Sequence, residues 1–345
     1  MRSNACCPPE IRPKAVRVRR LLLGGAGFAL LGFVILNALA INHARAMTHF
    51  AAAGVRTRPP EFQHGLAKLR TLLVGVNLPR PANTVTPADF GLACETNRYR
   101  VSEGIVLEAW LIPHPAPHGT VLMFHGYGAA KCSMLPEAKA FHDMGYAVFL
   151  PDFRGSGGSN GNTTSLGFHE AEDVAATVRY ARNALHSEGP LVLYGYSMGG
   201  AAVLRAVGEC GVSPTAILVE AVFDSLLSTV RNRFSAMGVP SFPSAELLTF
   251  WGGRLAGFSG FRHNPADYAR NVRCPALLLH GENDPRAVLQ QSRRIFDSLP
   301  GEKRMKIFRG VKHESCLAAD PQAWRAAVAG FLSASSIRST DQPLL

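Results

Sequence analysis

From Leu92 onward polar and apolar positions alternate as far as Ser102-Glu103-Gly104, and a second alternating stretch runs from Ile105 to Ile112. Period-two alternation about a glycine turn predicts an antiparallel hairpin. Short apolar runs then recur at 120–124, 146–150, 191–195, 215–219, 275–280 and 304–309. Each is of strand length and bounded by turn residues or charges. Helices are predicted between them, near 134–144, 168–187, 198–209, 286–298 and 321–333. Such alternation predicts an α/β fold: a mostly parallel sheet with helices on both faces and its chemistry at the carboxyl ends of the strands. Residues 221–274 exceed the usual connection between strands. They concentrate Phe223, Phe234, Met237, Phe242, Phe250, Trp251, Phe258 and Phe261. Both a helical crossover packed on the core and a small cap lining an apolar pocket fit that composition.

The N-terminal pattern differs. Leu21 to Ile41 is an uninterrupted uncharged run; as a helix rising about 1.5 Å per residue it spans roughly the 30 Å of a bilayer core. A cleaved signal peptide competes, with Ala38-Leu39-Ala40 and Ala44-Arg45-Ala46 as cleavage sites. The apolar run is longer than a signal core and its leader is long, which favours an uncleaved anchor. Six positive residues precede the run and three follow within seventeen positions. That bias puts the N-terminus in the cytoplasm and the folded domain outside it, in the periplasm if the source is bacterial. The organisation expected is a basic cytoplasmic tail at 1–20, a transmembrane anchor at 21–41, a connector at 42–91, an α/β domain at 92–335 with 221–274 as a possible cap, and a tail at 336–345. Within the connector, 62–76 has helical apolar spacing, and Pro79, Pro81 and Pro87 then break regular structure.

The chain has 345 residues and a formal net charge of +11. Residues 1–58 hold nine Lys or Arg against Glu10 alone, whereas the remainder carries 27 basic and 24 acidic residues. The excess belongs to the tail, and no basic and aromatic stripe supports a nucleic-acid partner. Seven scattered cysteines lack metal-ligand spacing and do not read as a disulfide framework, which leaves a single bridge open.

Chemistry concentrates at Gly195-Tyr196-Ser197-Met198-Gly199, directly after the apolar run 191–194. A strand, a sharp turn bearing a serine and a small-residue helix start lift a hydroxyl above the sheet edge, with glycines two positions either side to permit the bend. A serine at its ordinary pKa needs a base, an orienting acid and oxyanion donors. Asp284, in the loop after the strand ending His280-Gly281, is the orienting acid expected; Glu282 is its rival, and Glu220 a further acid to test. His313, in the loop after the last strand, is the expected general base. His280 is expected to brace its loop, and His263, in the insertion, is a weaker choice of base. The turn His125-Gly126-Tyr127-Gly128 and the residue after the serine supply the expected oxyanion donors, the amides of Tyr127 and Met198.

These stretches, with Asp152-Phe153-Arg154-Gly155-Ser156-Gly157-Gly158-Ser159, cover about 90–332 and resemble the α/β-hydrolase superfamily, in its esterase, lipase and serine aminopeptidase branch. The order Ser197, Asp284, His313 is the one that superfamily uses. The resemblance implies that Asp152 and Arg154 tie down a wall of the site. It implies acyl transfer to water without a metal or organic cofactor. The expected substrate is a carboxylic ester, with a lipid or monoacylglycerol suggested by the anchor. An amidase, thioesterase or peptidase with the same residues stays open, as does a non-catalytic membrane-tethered binding protein.

Overall fold

The first helix, α1, runs from Pro13 to Thr48 in a computed structural model that describes residues 13–59, 62–185 and 189–334, and it is uncharged from Leu21 to Ile41. Residues 1–12, with Cys6 and Cys7, and the expected tail at 336–345 lie outside the described residues. The Val18–Thr48 stretch of α1 is long and apolar enough to cross a membrane. Leu21, Leu22, Leu23, Phe28 and Leu31 are exposed, whereas Ala40, Ala44 and Thr48 are buried. Those three stand four residues apart on one helix face. Their packing against the folded domain carries the helix seven residues past the end of the apolar run. The connector holds α2 (Gly65–Val74), shorter at both ends than its apolar spacing suggests and closed by Gly75 at φ +98°. Asn42 Nδ2 donates to the Val74 carbonyl (2.7 Å) and the His43 ring bonds the Leu72 carbonyl (3.0 Å). Two side chains of α1 thus satisfy the carbonyls that the end of α2 leaves open.

The hairpin forms as β1 (Glu95–Ser102) and β2 (Ile105–Ile112), followed by β3 (Thr120–Phe124), α3 (Leu135–Asp143), β4 (Ala147–Pro151), α4 (Glu170–Asn183), β5 (Leu191–Tyr196), α5 (Met198–Glu209) and β6 (Ala216–Glu220). The insertion contributes α6 (Leu226–Ala236), α7 (Ser244–Leu255) and the short α8 (Pro265–Ala269). The chain closes with β7 (Ala276–Gly281), α9 (Leu289–Ser298), β8 (Lys303–Phe308), α10 (Cys316–Ala319) and α11 (Pro321–Leu332). The eight strands lie in the order β1-β2-β4-β3-β5-β6-β7-β8, antiparallel up to β4 and parallel from there. Alternation sorts the strand residues between two cores. Leu122, Phe124, Leu191 and Leu193 face α4, α5, α8 and α9, while Val121, Met123, Val192 and Tyr194 face α3 and α11.

The insertion divides. Tyr268 and Ala269 of α8 join the core between α5 and α9, as a crossover does. The pair α6 and α7 forms its own small core from Leu226, Val230 and Ala245 with Phe234, Leu248 and Phe258. It packs α7 against α1, with Trp251 Nε1 donating to Asn37 Oδ1 at 3.0 Å.

Beneath the site sits a fully buried cation that the sequence pattern did not single out. Lys131 donates through Nζ to Asp152 and to Glu108 (3.0 Å) and lies 4.4 Å from the centre of the Trp110 ring. Asp152 also accepts from the Lys131 amide (2.7 Å), the Gly158 amide (2.8 Å) and Asn83 Nδ2 (2.9 Å). Arg154 clasps Asp173 (2.7 Å), so both residues hold the loop down. Removing one partner of a buried pair leaves a charge uncompensated, at a typical cost of about 3–5 kcal/mol. Lys131→Ala is expected to lower unfolding stability by that order in denaturant melts. A loss under about 1 kcal/mol would show that water or Asn83 replaces the ammonium.

Candidate active site

The turn after β5 puts Ser197 at φ +51°, ψ −113°, a conformation costly to a residue with a side chain. Crowding of main chain on main chain enforces it. A Cβ on Gly199 would lie 2.1 Å from the Phe124 carbonyl oxygen, and one on Gly195 would lie 2.6 Å from the Gly199 main chain. The first turn of α5 thereby rests directly on the end of β3. The Ser197 amide donates to the Glu220 carbonyl (2.7 Å), which pins the turn to β6.

The structure brings Ser197, His313 and Asp284 together in one chain of contacts. Ser197 Oγ lies 3.1 Å from His313 Nε2, and His313 Nδ1 lies 2.6 Å from Asp284 Oδ2. The other Asp284 oxygen accepts the amides of Arg286 (2.8 Å) and Ala287 (2.9 Å). Burial pushes the Asp284 carboxyl up. The hydrogen bond and charge of His313, with those two amides, more than offset this and hold it below the usual carboxylate range. The loops bearing Asp284 and His313 are stitched together, Glu282 N donating to Phe308 O and Asn283 N to Val311 O, each at 2.9 Å.

The competing residues are placed elsewhere. Glu282 is exposed and accepts a long 3.3 Å bond from the Gly310 amide. Glu220 is buried behind the turn and accepts from Tyr194 Oη (2.7 Å), the Cys316 amide (2.8 Å) and Trp324 Nε1 (3.2 Å). Burial raises its pKa. His280 bonds the Ala287 carbonyl and Ser292 Oγ, both at 2.7 Å, and so braces the acid loop. His263 bonds the Leu166 carbonyl (3.0 Å) and Tyr268 Oη (3.1 Å), and burial lowers its pKa to about 4. His125 is likewise structural, accepting from the Phe153 amide at 3.1 Å. Tyr127 stands on the turn after β3, and Met198 opens α5, where the first amides lack helical partners.

Ser197 and His313 open on a cavity of about 470 Å³, within the range of small-molecule sites. Its lining includes Tyr127 and Tyr196 from the strand ends and Val230, Phe234 and Leu248 from α6 and α7. Arg56, Arg233 and Arg286 border it. Arg56 donates to the Gly128 carbonyl (2.7 Å), and the Arg233 guanidinium stands 5.8 Å from the Tyr127 ring centre. Burial raises the Tyr127 phenol to about 12, against the lowering field of both arginines. None of these arginines was singled out from the sequence, where each resembles any other loop or helix arginine. Glu137 of α3 also lines the cavity and accepts a hydrogen bond from Ser315 Oγ, two residues beyond His313. Its Oε2 is buried without a protein partner among the described residues.

A parallel sheet with two antiparallel strands at one edge, and a strained serine at a strand-to-helix turn beside it, define the α/β-hydrolase fold. The chain has the α/β-hydrolase fold and is similar to esterases and lipases of that fold. A family model described as Hydrolase_4, serine aminopeptidase S33, matches residues 115–237. The chain is similar to the monoacylglycerol lipase of Mycolicibacterium smegmatis, 27% identical over 242 residues, 61% of this chain and 86% of that one. It is also similar to the Bacillus subtilis protein YqkD, described as uncharacterized, 25% identical over 224 residues, 64% of this chain and 73% of the relative. Among solved structures, the Pyrococcus furiosus esterase Pf2001 superposes with a TM-score of 0.64 at 21% identity, covering 74% of this chain and 96% of the esterase.

Glu137 makes the stability depend on pH. Burial raises its pKa from 4.5 to about 7, with Glu220 nearby adding to the rise. The unfolded chain releases this proton near pH 4.5 and the folded protein only near 7, so the folded state holds more protons between them. Stability therefore falls as pH rises through that window and levels off above it. The full loss is on the order of 3 kcal/mol. In Glu137→Gln, melts from pH 4.5 to 8 should lose most of that slope; an unchanged slope would assign it to other groups.

Proposed function

We propose that the protein is a membrane-anchored serine hydrolase that cleaves carboxylic esters through an acyl-enzyme intermediate. The observation that carries the proposal is the unbroken relay from the Ser197 hydroxyl through the His313 ring to the Asp284 carboxylate, at 3.1 and 2.6 Å, facing a largely apolar cavity. His313 Nε2 takes the Ser197 proton as Oγ bonds to the ester carbonyl carbon, and Asp284 holds the Nδ1–H tautomer and steadies the imidazolium. The amides of Tyr127 and Met198 receive the oxyanion, the second aided by the positive end of α5. Arg56, Arg233 and Arg286 border the same cavity. Collapse of the tetrahedral adduct breaks the ester C–O bond, and His313 gives its proton to the departing alcohol. Water, deprotonated by His313, then attacks the acyl carbon and releases the carboxylic acid and free Ser197.

The name of the mycobacterial relative and the apolar lining favour an acyl ester, with monoacylglycerol-like lipids as the substrate class. The description of the matched family model favours peptide amides as a second reading. A panel of esters, thioesters and aminoacyl amides separates the two. The Val18–Thr48 helix and its flanking charges support a single-pass anchor with the N-terminus in the cytoplasm and the hydrolase domain outside it.

A fluorophosphonate probe is expected to label the protein, and labelling should vanish in Ser197→Ala; undiminished labelling would move the nucleophile elsewhere. Asp284→Asn should cut turnover by a factor on the order of 10³–10⁴ by favouring the wrong imidazole tautomer. Turnover near that of the unmodified protein would transfer the orienting role to another acid. For topology, a reporter fused after Leu345 should be active outside the cytoplasm, and activity inside would reverse the orientation.

A further inference from the structure

The cavity at Ser197 is not walled by the hydrolase domain alone. Leu36, Leu39, Ala40, His43 and Met47 of α1 line it. Their spacing of three, four and seven residues places them on one helix face, about 16 Å long at 1.5 Å per residue. Leu36, Leu39 and Ala40 belong to the apolar run 21–41, so part of the wall lies at the depth of the bilayer assigned to that run. Two contacts fix the face against the site. Tyr127 Oη, on the turn beside Ser197, donates to the Met47 carbonyl at 2.6 Å. Asn37, a polar residue inside the apolar run, accepts Trp251 Nε1 of α7 at 3.0 Å. A polar side chain at membrane depth is expensive unless partnered, and tryptophan favours the membrane interface. The same helical pair and its flanks expose Phe242, Phe250 and Phe261. With α1 read as an anchor, these features turn the exposed aromatic residues of the α6–α7 pair toward the lipid surface.

We propose that this face of α1 is a wall of the acyl-chain subsite, and that its occupant is the long chain of an ester drawn from the bilayer. The inference rests on the hydrolase reading for its chemistry and on the anchor reading for its source of substrate. The anchor helix then selects substrate as well as holding the enzyme at its surface. A bulky side chain on this face shortens the chain the site accepts, since each methylene excluded from an apolar pocket lowers kcat/KM by roughly 10- to 200-fold.

The test uses the full chain in lipid nanodiscs with p-nitrophenyl esters from acetyl to palmitoyl. Leu39→Trp should lower the ratio of palmitoyl to acetyl kcat/KM by about tenfold or more. Leu31→Trp, on exposed helix outside the cavity, should leave the ratio unaltered. An unaltered ratio in folded Leu39→Trp overturns the proposal. A second measurement needs neither turnover nor that variant. A palmitoyl ester with a terminal diazirine is photolysed on Ser197→Ala protein, and crosslinks are mapped by mass spectrometry. They should concentrate on Leu36, Leu39 and Ala40; crosslinks spread equally over Leu31, Val34 and Ile35, or absent from α1, overturn the proposal. No turnover of any ester would defeat the ester-hydrolase reading while the crosslinks still judge the subsite. Release of the chain from membranes by alkaline carbonate would defeat the anchor reading, and the chain-length ratio would still judge the wall.

Discussion

At the carboxyl edge of the sheet two stretches of main chain cross nearer to one another than any side chain permits. Gly199 meets the Phe124 carbonyl and Gly195 meets Gly199 at distances that a Cβ turns into overlap. The crossing throws Ser197 into positive φ, at a strain of about 1–3 kcal/mol. The start of α5 carries that load, because Ala201, Ala202, Val203 and Leu204 are fully buried. Burying a side chain the size of Val203 or Leu204 is worth about 1.5–3 kcal/mol. Loosening α5 would let the turn relax and lower the hydroxyl toward the sheet. The same crossing brings the turn after β3, with Tyr127, up against the turn that holds Ser197.

Three carboxyl groups near these loops are sorted by what surrounds them. Asp284 receives two main-chain amides and the His313 ring, and stays ionised despite burial. Glu220 receives three donors, yet its complete burial outweighs them and raises its pKa. Glu137 has one donor and an oxygen without a partner among the described residues, and burial raises its pKa to about 7. Only Asp284 combines a retained charge with contact to the histidine. That combination, rather than proximity to the strand, separates it from Glu282, whose side chain stands in solvent. The buried Lys131 serves the opposite purpose, cancelling Asp152 and Glu108 below the loop that walls the site.

The sheet was legible in the sequence because strands buried on both faces leave an unbroken apolar signature, and turn glycines bound them within a residue or two. The serine turn was legible because only small residues fit the crossing, and the later loops offered few carboxyl and imidazole groups in the required order. Other features left no such trace. Lys131 follows an ordinary turn, and its partners Glu108 and Asp152 come from β2 and from the loop after β4, so nothing local announces an ion cluster. The insertion reads as one apolar segment because α8, packed in the core, and the α6–α7 pair, packed on α1, need the same kinds of side chain. The length of α1 was understated for a related reason. Asn42, His43 and Arg45 end the apolar run, although Ala40, Ala44 and Thr48 continue a narrow buried face through them.

That narrow face changes what an anchor means here. A tether joined to its domain by flexible chain leaves the catalytic cavity free to point in any direction. In this protein α1 is bonded to α7 through Asn37 and Trp251, to α2 through Asn42 and His43, and to the turn beside Ser197 through Met47 and Tyr127. Each contact joins α1 to a different element around one cavity, so the helix axis and the cavity keep a fixed relation. If α1 spans a bilayer, the orientation of the membrane relative to Ser197 follows from packing rather than from tether length. The rotational freedom that a tethered enzyme surrenders on each productive encounter is then already spent in folding, as preorganised sites require. On the proposed reading the apolar positions on α1 divide by direction: those facing outward would meet lipid, and those facing Ser197, such as Leu36, Leu39 and Ala40, line the cavity that would hold the ester.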